Sequence, residues 1–292
     1  MARMATKRSP KKNSTPSGKR IQRVLADAGV ASRRACEQLV EEGAVTVNGR
    51  EVRTLPIFVD PETDDIRVEG RRIKSARRNV YIMLFKPRGF VCTAKDPEGR
   101  KRALDLVQHP FENRLFTVGR LDLDSSGLLL LTDDGDLAHI LTHPSFEIHK
   151  EYDVTARGRI EEQAMDRIRR GMYLADKSGE AKRTRESLVK LIRRDRDRTQ
   201  LRIELREGRN RQIRRVLERV GHPVKKLRRT RLGPLRLKGL AMGEWRELTS
   251  GELASLRRAA NKAQALAQTE SAAKKKRTRR RAGKSRRRSI SL

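Results

Sequence analysis

Apolar positions in the first 60 residues fall into two helical stripes and one alternating pair of strands. Ile21, Val24, Leu25 and Ala28 recur at helical spacing, and Gly29 supplies a stop. A second stripe, Ala35, Cys36, Leu39 and Val40, starts behind Ser32, a good N-cap, and ends at Gly43. Ala44 to Arg50 then alternates apolar and polar residues into Asn48-Gly49, the strongest short hairpin signal. Beyond residue 79 the pattern changes. Short apolar runs at 80–85, 115–118, 127–132, 151–155, 187–192 and 199–205 read as strands, and helical patterns appear at 137–141, 160–170 and 209–220. Thr249 and Glu252 have capping-box spacing and open a last helix through Leu256. Many strands with few helices between them predict an α+β fold: a small αα-β unit, then a domain on a mixed or mostly antiparallel sheet. A doubly wound arrangement does not fit.

Composition adds a partner class and the domain limits. The 292 residues hold 70 Lys and Arg against 37 Asp and Glu, a net charge of +33 that calls for a polyanion. Residues 1–20 and 271–292 contain no acid and hold 18 of the excess charges. The expected division is a basic disordered arm over 1–18, a first domain over 19–70, a linker over 71–78, a second domain over 79–258 and a basic disordered tail over 259–292. No apolar run approaches the roughly 20 residues that span a bilayer, so no membrane partner is expected. The N-terminus lacks the apolar segment of a secretory signal, and Cys36 and Cys92 stand alone without CxxC spacing. Reduced thiols and a cytoplasmic location follow as expectations. His139 and His143 are spaced i, i+4 without a third ligand, and His143-Pro144 reads instead as a helix end.

The densest chemistry lies between Gly119 and Asp136. Asp122, Asp124, Ser126, Gly127 and Asp133 fall at positions 1, 3, 5, 6 and 12 of a calcium loop, but Leu130 occupies position 9, position 12 lacks Glu, and strands rather than helices flank the segment. A metal site is not expected. Asp122 differs from a solvated loop carboxylate in its place: it follows a strand and Arg120 and precedes a Gly turn and four consecutive leucines, at the rim of a core.

These segments resemble a known family. Arg20 to Ala26, Gly29 to Arg34 and Gly43 to Gly49 are similar to the S4 RNA-binding domain. Gly119-Arg120-Leu121-Asp122, Ser126 to Thr132, His143-Pro144, Lys150-Glu151-Tyr152 and Glu207 to Arg215 are similar to the RsuA-like ribosomal RNA pseudouridine synthases, and Lys86-Pro87-Arg88-Gly89 fits the entry to their catalytic domain. The Glu-Gly-Arg-Asn-Arg form looks more like the large-subunit branch. The resemblance implies isomerisation of a uridine in ribosomal RNA, 23S more than 16S, without cofactor or metal, with the RNA or pre-ribosomal particles as partner; a monomer is the default expectation. It implies Asp122, Tyr152 and Arg214 as catalytic residues. Asp122 would act as nucleophile or as a base giving a glycal, and either role uses the carboxylate, so a neighbouring cation is expected: Arg214 first, Arg120 as rival. Tyr152 would stack on the extruded uracil or move the C5 proton. Arg33 and Arg34, on the first turn of the second helix, suit RNA phosphates. Arg120, Lys150 and Arg209 are further RNA contacts, and Arg211 and Arg215 belong to a solvent-facing basic ridge with Arg219. A non-catalytic ribosome-assembly protein is the competing reading, disfavoured by the intact trio; a DNA-compacting protein fits only the termini.

Overall fold

The computed structural model describes residues 18–73, 78–175 and 179–288, and the chain divides into two units, 1–78 and 79–292. The expected basic arm, Gly18 apart, lies outside the described residues. In the first unit, α1 (Ile21–Asp27) and α2 (Arg33–Glu41) close over Ile21, Leu25, Cys36, Val40 and Val45, each fully buried. Ser32 caps α2, its Oγ accepting the Ala35 N–H at 3.2 Å. β1 (Val45–Val47) and β2 (Arg50–Val52) form the expected hairpin, with Asn48 at φ 50 and Gly49 at φ 77 as a type I′ turn requires. A second hairpin was not expected: β3 (Ile66–Val68) pairs with β1, and β4 (Arg71–Arg72) pairs with β3, giving the sheet order β2-β1-β3-β4. The sheet therefore extends into the segment read as linker. Arg33 and Arg34 are exposed at the start of α2.

The second unit is built on one mixed sheet. Its main strands are β5 (Tyr81–Lys86), β6 (Ser126–Thr132), β7 (Lys150–Arg157), β8 (Leu188–Arg194), β9 (Arg198–Leu205), β10 (Val224–Leu232) and β11 (Trp245–Glu247), with the two-residue strands Phe116–Thr117 and Leu235–Arg236 added on β6 and β10. They run in the order β8-β9-β7-β10-β6-β5-β11, antiparallel except where β10 meets β6. Helices α3 (Gly135–Thr142), α4 (Glu162–Arg170) and α5 (Gln212–Arg219) occupy the three helical patterns. The leucine run explains why the sheet centre is fixed. Leu128 and Leu130 pack with α3, while Leu129 and Leu131 pack with Val107, Leu115 and Leu121 on the opposite face. All four are fully buried, each contributing about 2 kcal/mol, so the chain entering β6 is anchored.

The β6–β10 junction is tight. Gly127 sits opposite Arg229 at φ 113, and a Cβ there would lie 2.2 Å from the Arg229 carbonyl oxygen, so only glycine fits. This contact sets the segment before β6 directly against β10, the strand beside β7.

The last helix is longer than expected. α6 runs Ser250–Arg288, where a tail from residue 259 was anticipated. Leu253, Leu256, Ala260 and Ala263 pack on the α3 side of the core, and Ala, Gln, Lys and Arg, all good helix formers, carry the helix onward. Its start is the predicted capping box: the Thr249 N–H donates to Glu252 Oε2 at 2.9 Å and the Glu252 N–H to Thr249 Oγ1 at 3.2 Å. Arg246 adds two hydrogen bonds, at 2.7 and 2.8 Å, and these above all lower the Glu252 pKa from the ordinary 4.5 to about 2. A depressed carboxylate stabilises the fold fully above its unfolded pKa and loses that contribution as pH falls through the folded value. Glu252→Gln should therefore destabilise the protein by roughly 1–2 kcal/mol at neutral pH, allowing for solvent screening of this partly exposed pair. In denaturant titrations the gap between the two proteins should close as pH falls from about 4.5 to about 2.

Candidate active site

The loop ahead of β6 is held from below by a lysine. Lys86, fully buried at the end of β5, donates to Pro87 O at 3.0 Å, Asp122 O at 3.2 Å and Ser125 O at 2.8 Å. All three ammonium protons are thereby satisfied. Burial pushes the ammonium below the usual lysine range, against the pull of Cys92, Asp122 and Asp124. Two backbone bonds complete the turn, Ser125 N to Asp122 O at 3.0 Å and Gly89 N to Leu123 O at 2.8 Å. Leu121 is buried in the core, and its N–H meets Cys92 Sγ at 3.4 Å. With its backbone pinned, Asp122 projects at the rim, its side chain 31% exposed.

Two arginines of the Glu207–Arg215 motif reach this turn, with roles that differ from those expected. Arg211 is the N-cap residue of α5 in a left-handed conformation, φ 47. Its guanidinium binds both oxygens of Asp124, at 3.1 and 3.0 Å, and lies 3.7 Å from Asp122 Oδ2. Arg214 is buried; it pairs with Asp124 Oδ1 at 3.2 Å and donates to Asp124 O at 2.9 Å and Ser125 Oγ at 3.2 Å. Arg214 therefore clamps the turn through Asp124, and the guanidinium that meets Asp122 is that of Arg211. The helical pattern over 209–220 places Arg211 on a solvent-facing ridge, whereas α5 begins at Gln212. Burial opposes charge on Asp124, but the Arg211 hydrogen bonds and the charges of Arg214 and Arg211 hold its carboxyl below the usual range.

The other ridge members have backbone partners. Arg215 donates to Ala175 O and Arg219 to Tyr173 O, tying down the short strand Tyr173–Ala175. Arg209 spans Lys182 O and Arg183 O at 2.8 and 2.7 Å and pairs with Glu207 at 3.2 Å. Buried Gln212 donates to Glu207 Oε1 at 2.6 Å and accepts the Arg209 N–H at 3.2 Å, which shapes the loop that presents Arg211.

A cavity of about 260 Å³ opens beside Asp122, of a size for one nucleoside rather than a duplex. Arg120 and Asp122 line it from the loop, Lys150 and Tyr152 from β7, Arg229 from β10, and Arg209 and Arg211 from the motif before α5. Arg120 is exposed, makes no hydrogen bond or ion pair to the described residues, and lies in a loop rather than a strand. Tyr152 is half-buried and faces Arg229 across the β7–β10 pair. Lys150 Nζ donates to Ile148 O at 3.2 Å; burial, then neighbouring Arg229, brings its pKa to about 8. Of the residues singled out in the second unit, Arg214 and Arg215 stand outside the cavity wall. Lys86, Asp124 and Arg229 carry no site role from sequence alone, Lys86 standing only in a motif and Asp124 only in the rejected calcium pattern. An Asp two residues after Asp122 offered a signal for Asp124, while Arg229 sits in a basic stretch with no apolar alternation to mark it.

The profile of the RNA pseudouridylate synthases matches residues 80–219, which span every cavity residue but Leu227, Arg229 and Leu232, and that of the S4 domain matches residues 19–63. The chain is 41% identical over 240 residues to the ribosomal large subunit pseudouridine synthase B of Bacillus subtilis (strain 168), covering 82% of this chain and 95% of that protein. The chain belongs to the RNA pseudouridylate synthase family. Other members of the family include the ribosomal large subunit pseudouridine synthase B of Pasteurella multocida (strain Pm70), 38% identical over 81% of this chain and 69% of its own, and an uncharacterised RNA pseudouridine synthase of Aquifex aeolicus (strain VF5), 40% identical over 81% and 93%. A crystal structure of a pseudouridylate synthase superposes with a TM-score of 0.59 at 28% identity, over 81% of this chain and 99% of that one. The synthase fold in this chain is thus the α+β unit carrying the cavity, preceded by the S4 unit.

Proposed function

We propose that this synthase converts a uridine of large-subunit ribosomal RNA into pseudouridine, working as a monomer on the RNA or on pre-ribosomal particles in the cytoplasm. The observation that carries this reading is Asp122: a carboxylate on a pinned turn at the mouth of a nucleoside-sized cavity, with Tyr152 in the wall. The target uridine leaves its stack, at a cost of roughly a few kcal/mol, and enters beside Tyr152. The C1′–N1 bond breaks, uracil departs with the electron pair, turns in place, and C5 joins C1′; C5 then loses its proton and N1 takes one up, so the product is an isomer of the substrate. Asp122 acts at the sugar, either by bonding C1′ or by taking and returning a C2′ proton. Tyr152 stacks on the base or receives the C5 proton. Arg211 orients the Asp122 carboxylate, and Arg214 acts through Asp124 as a positioning residue. Arg33 and Arg34, with exposed Arg120, bind phosphates. Atoms balance without an oxidant or imported group, so the reading assigns no cofactor or metal.

The test is incubation of the full-length protein with large- and small-subunit ribosomal RNA transcripts, followed by nucleoside chromatography. Pseudouridine confined to the large-subunit RNA is expected. Tight binding to both with no pseudouridine in either would replace this reading with that of an assembly factor.

A further inference from the structure

The cavity carries more positive charge than its acid can balance. Asp122 is the one acid in a wall that also holds Arg120, Lys150, Arg209, Arg211 and Arg229. Arg209 and Arg211 have carboxylate partners, Glu207 and Asp124. Lys150 and Arg229 have none within ion-pair distance among the described residues. Arg229 is 2% exposed, its Nε donates to Leu128 O at 2.7 Å, and its Nη2 has no partner. Lys150 precedes Tyr152 by two residues on β7 and so shares its face, and Arg229 is the register partner of Tyr152 on β10. One patch of sheet thus presents an aromatic ring and two unneutralised cations.

Two cations withdrawn from water side by side repel and lose hydration, and both costs are relieved by an anion arriving with the substrate. Burial first, and then the charge of neighbouring Arg229, bring Lys150 to a pKa of about 8. A phosphate does not suit the place, since the same wall is completed by Leu205, Leu227 and Leu232. A base does, and the reaction generates an anionic one. When C1′–N1 breaks, the electron pair leaves with uracil and spreads over N1, O2 and O4, whichever route Asp122 follows at the sugar.

We infer that Lys150 is a catalytic residue that hydrogen-bonds a carbonyl oxygen of the departing uracil anion, with Arg229 adding its charge through the low-dielectric sheet as a positioning residue. The inference rests on the proposed pseudouridine synthase reaction. Preorganised charge aimed at a developing anion acts in the transition state and little in the ground state. Once C5 has joined C1′, given up its proton and N1 has taken one up, the base is neutral and the cation pair no longer holds it.

The test is single-turnover pseudouridine formation on a saturating large-subunit ribosomal RNA transcript by the full-length wild type, Lys150→Met and Lys150→Arg. Lys150→Met is expected to slow the step about 10²–10³-fold while RNA affinity stays within about twofold. Lys150→Arg should recover most of the rate. The wild-type rate should fall as pH rises past about 8, and the Arg variant should remove that decline. A transcript made with 5-fluorouridine supplies a better leaving group, so the Met defect in glycosidic cleavage should shrink at least about tenfold. An equal defect on both transcripts, or a loss confined to affinity, would overturn the inference. A wild type that forms no pseudouridine on the unmodified transcript would instead remove the proposed function.

Discussion

Asp122→Asn is expected to lower single-turnover pseudouridine formation by at least about 10³-fold while leaving RNA affinity and the unfolding midpoint near wild type. The separation follows from which atoms of Asp122 do what. Its carbonyl holds the turn, accepting from Lys86 and Ser125, and that role is untouched by an amide side chain. Its carboxylate is partly exposed, and Arg211, the nearest cation at 3.7 Å, is already paired with Asp124. The substitution therefore removes a nucleophile or base without leaving a buried charge unpaired. A variant retaining a tenth of wild-type rate would move the chemistry to another residue.

Lys86→Met is expected to show the opposite profile, destabilising the protein by roughly 3 kcal/mol and reducing activity along with it. Methionine matches the lysine stem as far as Cε but leaves Pro87 O and Ser125 O without the ammonium and removes one of two donors from Asp122 O. Lys86 is fully buried, so these carbonyls lose their partner away from bulk solvent. Urea unfolding measures the loss, and a change under about 1 kcal/mol would show that the turn is held by its backbone bonds and Arg214 alone.

The fold was legible where side-chain periodicity and burial agree. Ser32, Gly29, Gly43 and the Asn48-Gly49 turn marked the S4 unit because capping and positive φ depend on local chemistry. The leucine run marked a strand buried on both faces. β10 was missed, although it lies at the centre of the sheet, because Val224 to Leu232 is mostly Lys and Arg and one of its inward positions is Arg229. Periodicity reads charge as exposure, and only the cavity explains why a guanidinium sits inside.

The candidate site was legible in its residue types and less so in its pairings. Asp122, Tyr152 and Lys150 line one cavity, whereas the resemblance groups Asp122 and Tyr152 with Arg214 and reads Lys150 as an RNA contact. The exchange between Arg211 and Arg214 was not readable, because it depends on a left-handed residue that starts α5 three positions later than the pattern implied. Lys86 was quoted only as part of a motif; its burial follows from three carbonyls that converge on it, and convergence is a tertiary fact. At the C-terminus the run of Lys and Arg suggested disorder, while the same residues have high helix propensity and continue α6.

The most direct test is a map of pseudouridines across ribosomal RNA from cells lacking the gene, complemented with the wild type or with Asp122→Asn. One large-subunit pseudouridine should vanish on deletion, return with the wild type and stay absent with Asp122→Asn. Its full presence in the Asp122→Asn strain, or an unchanged map on deletion, would contradict the assignment of this chain and of Asp122.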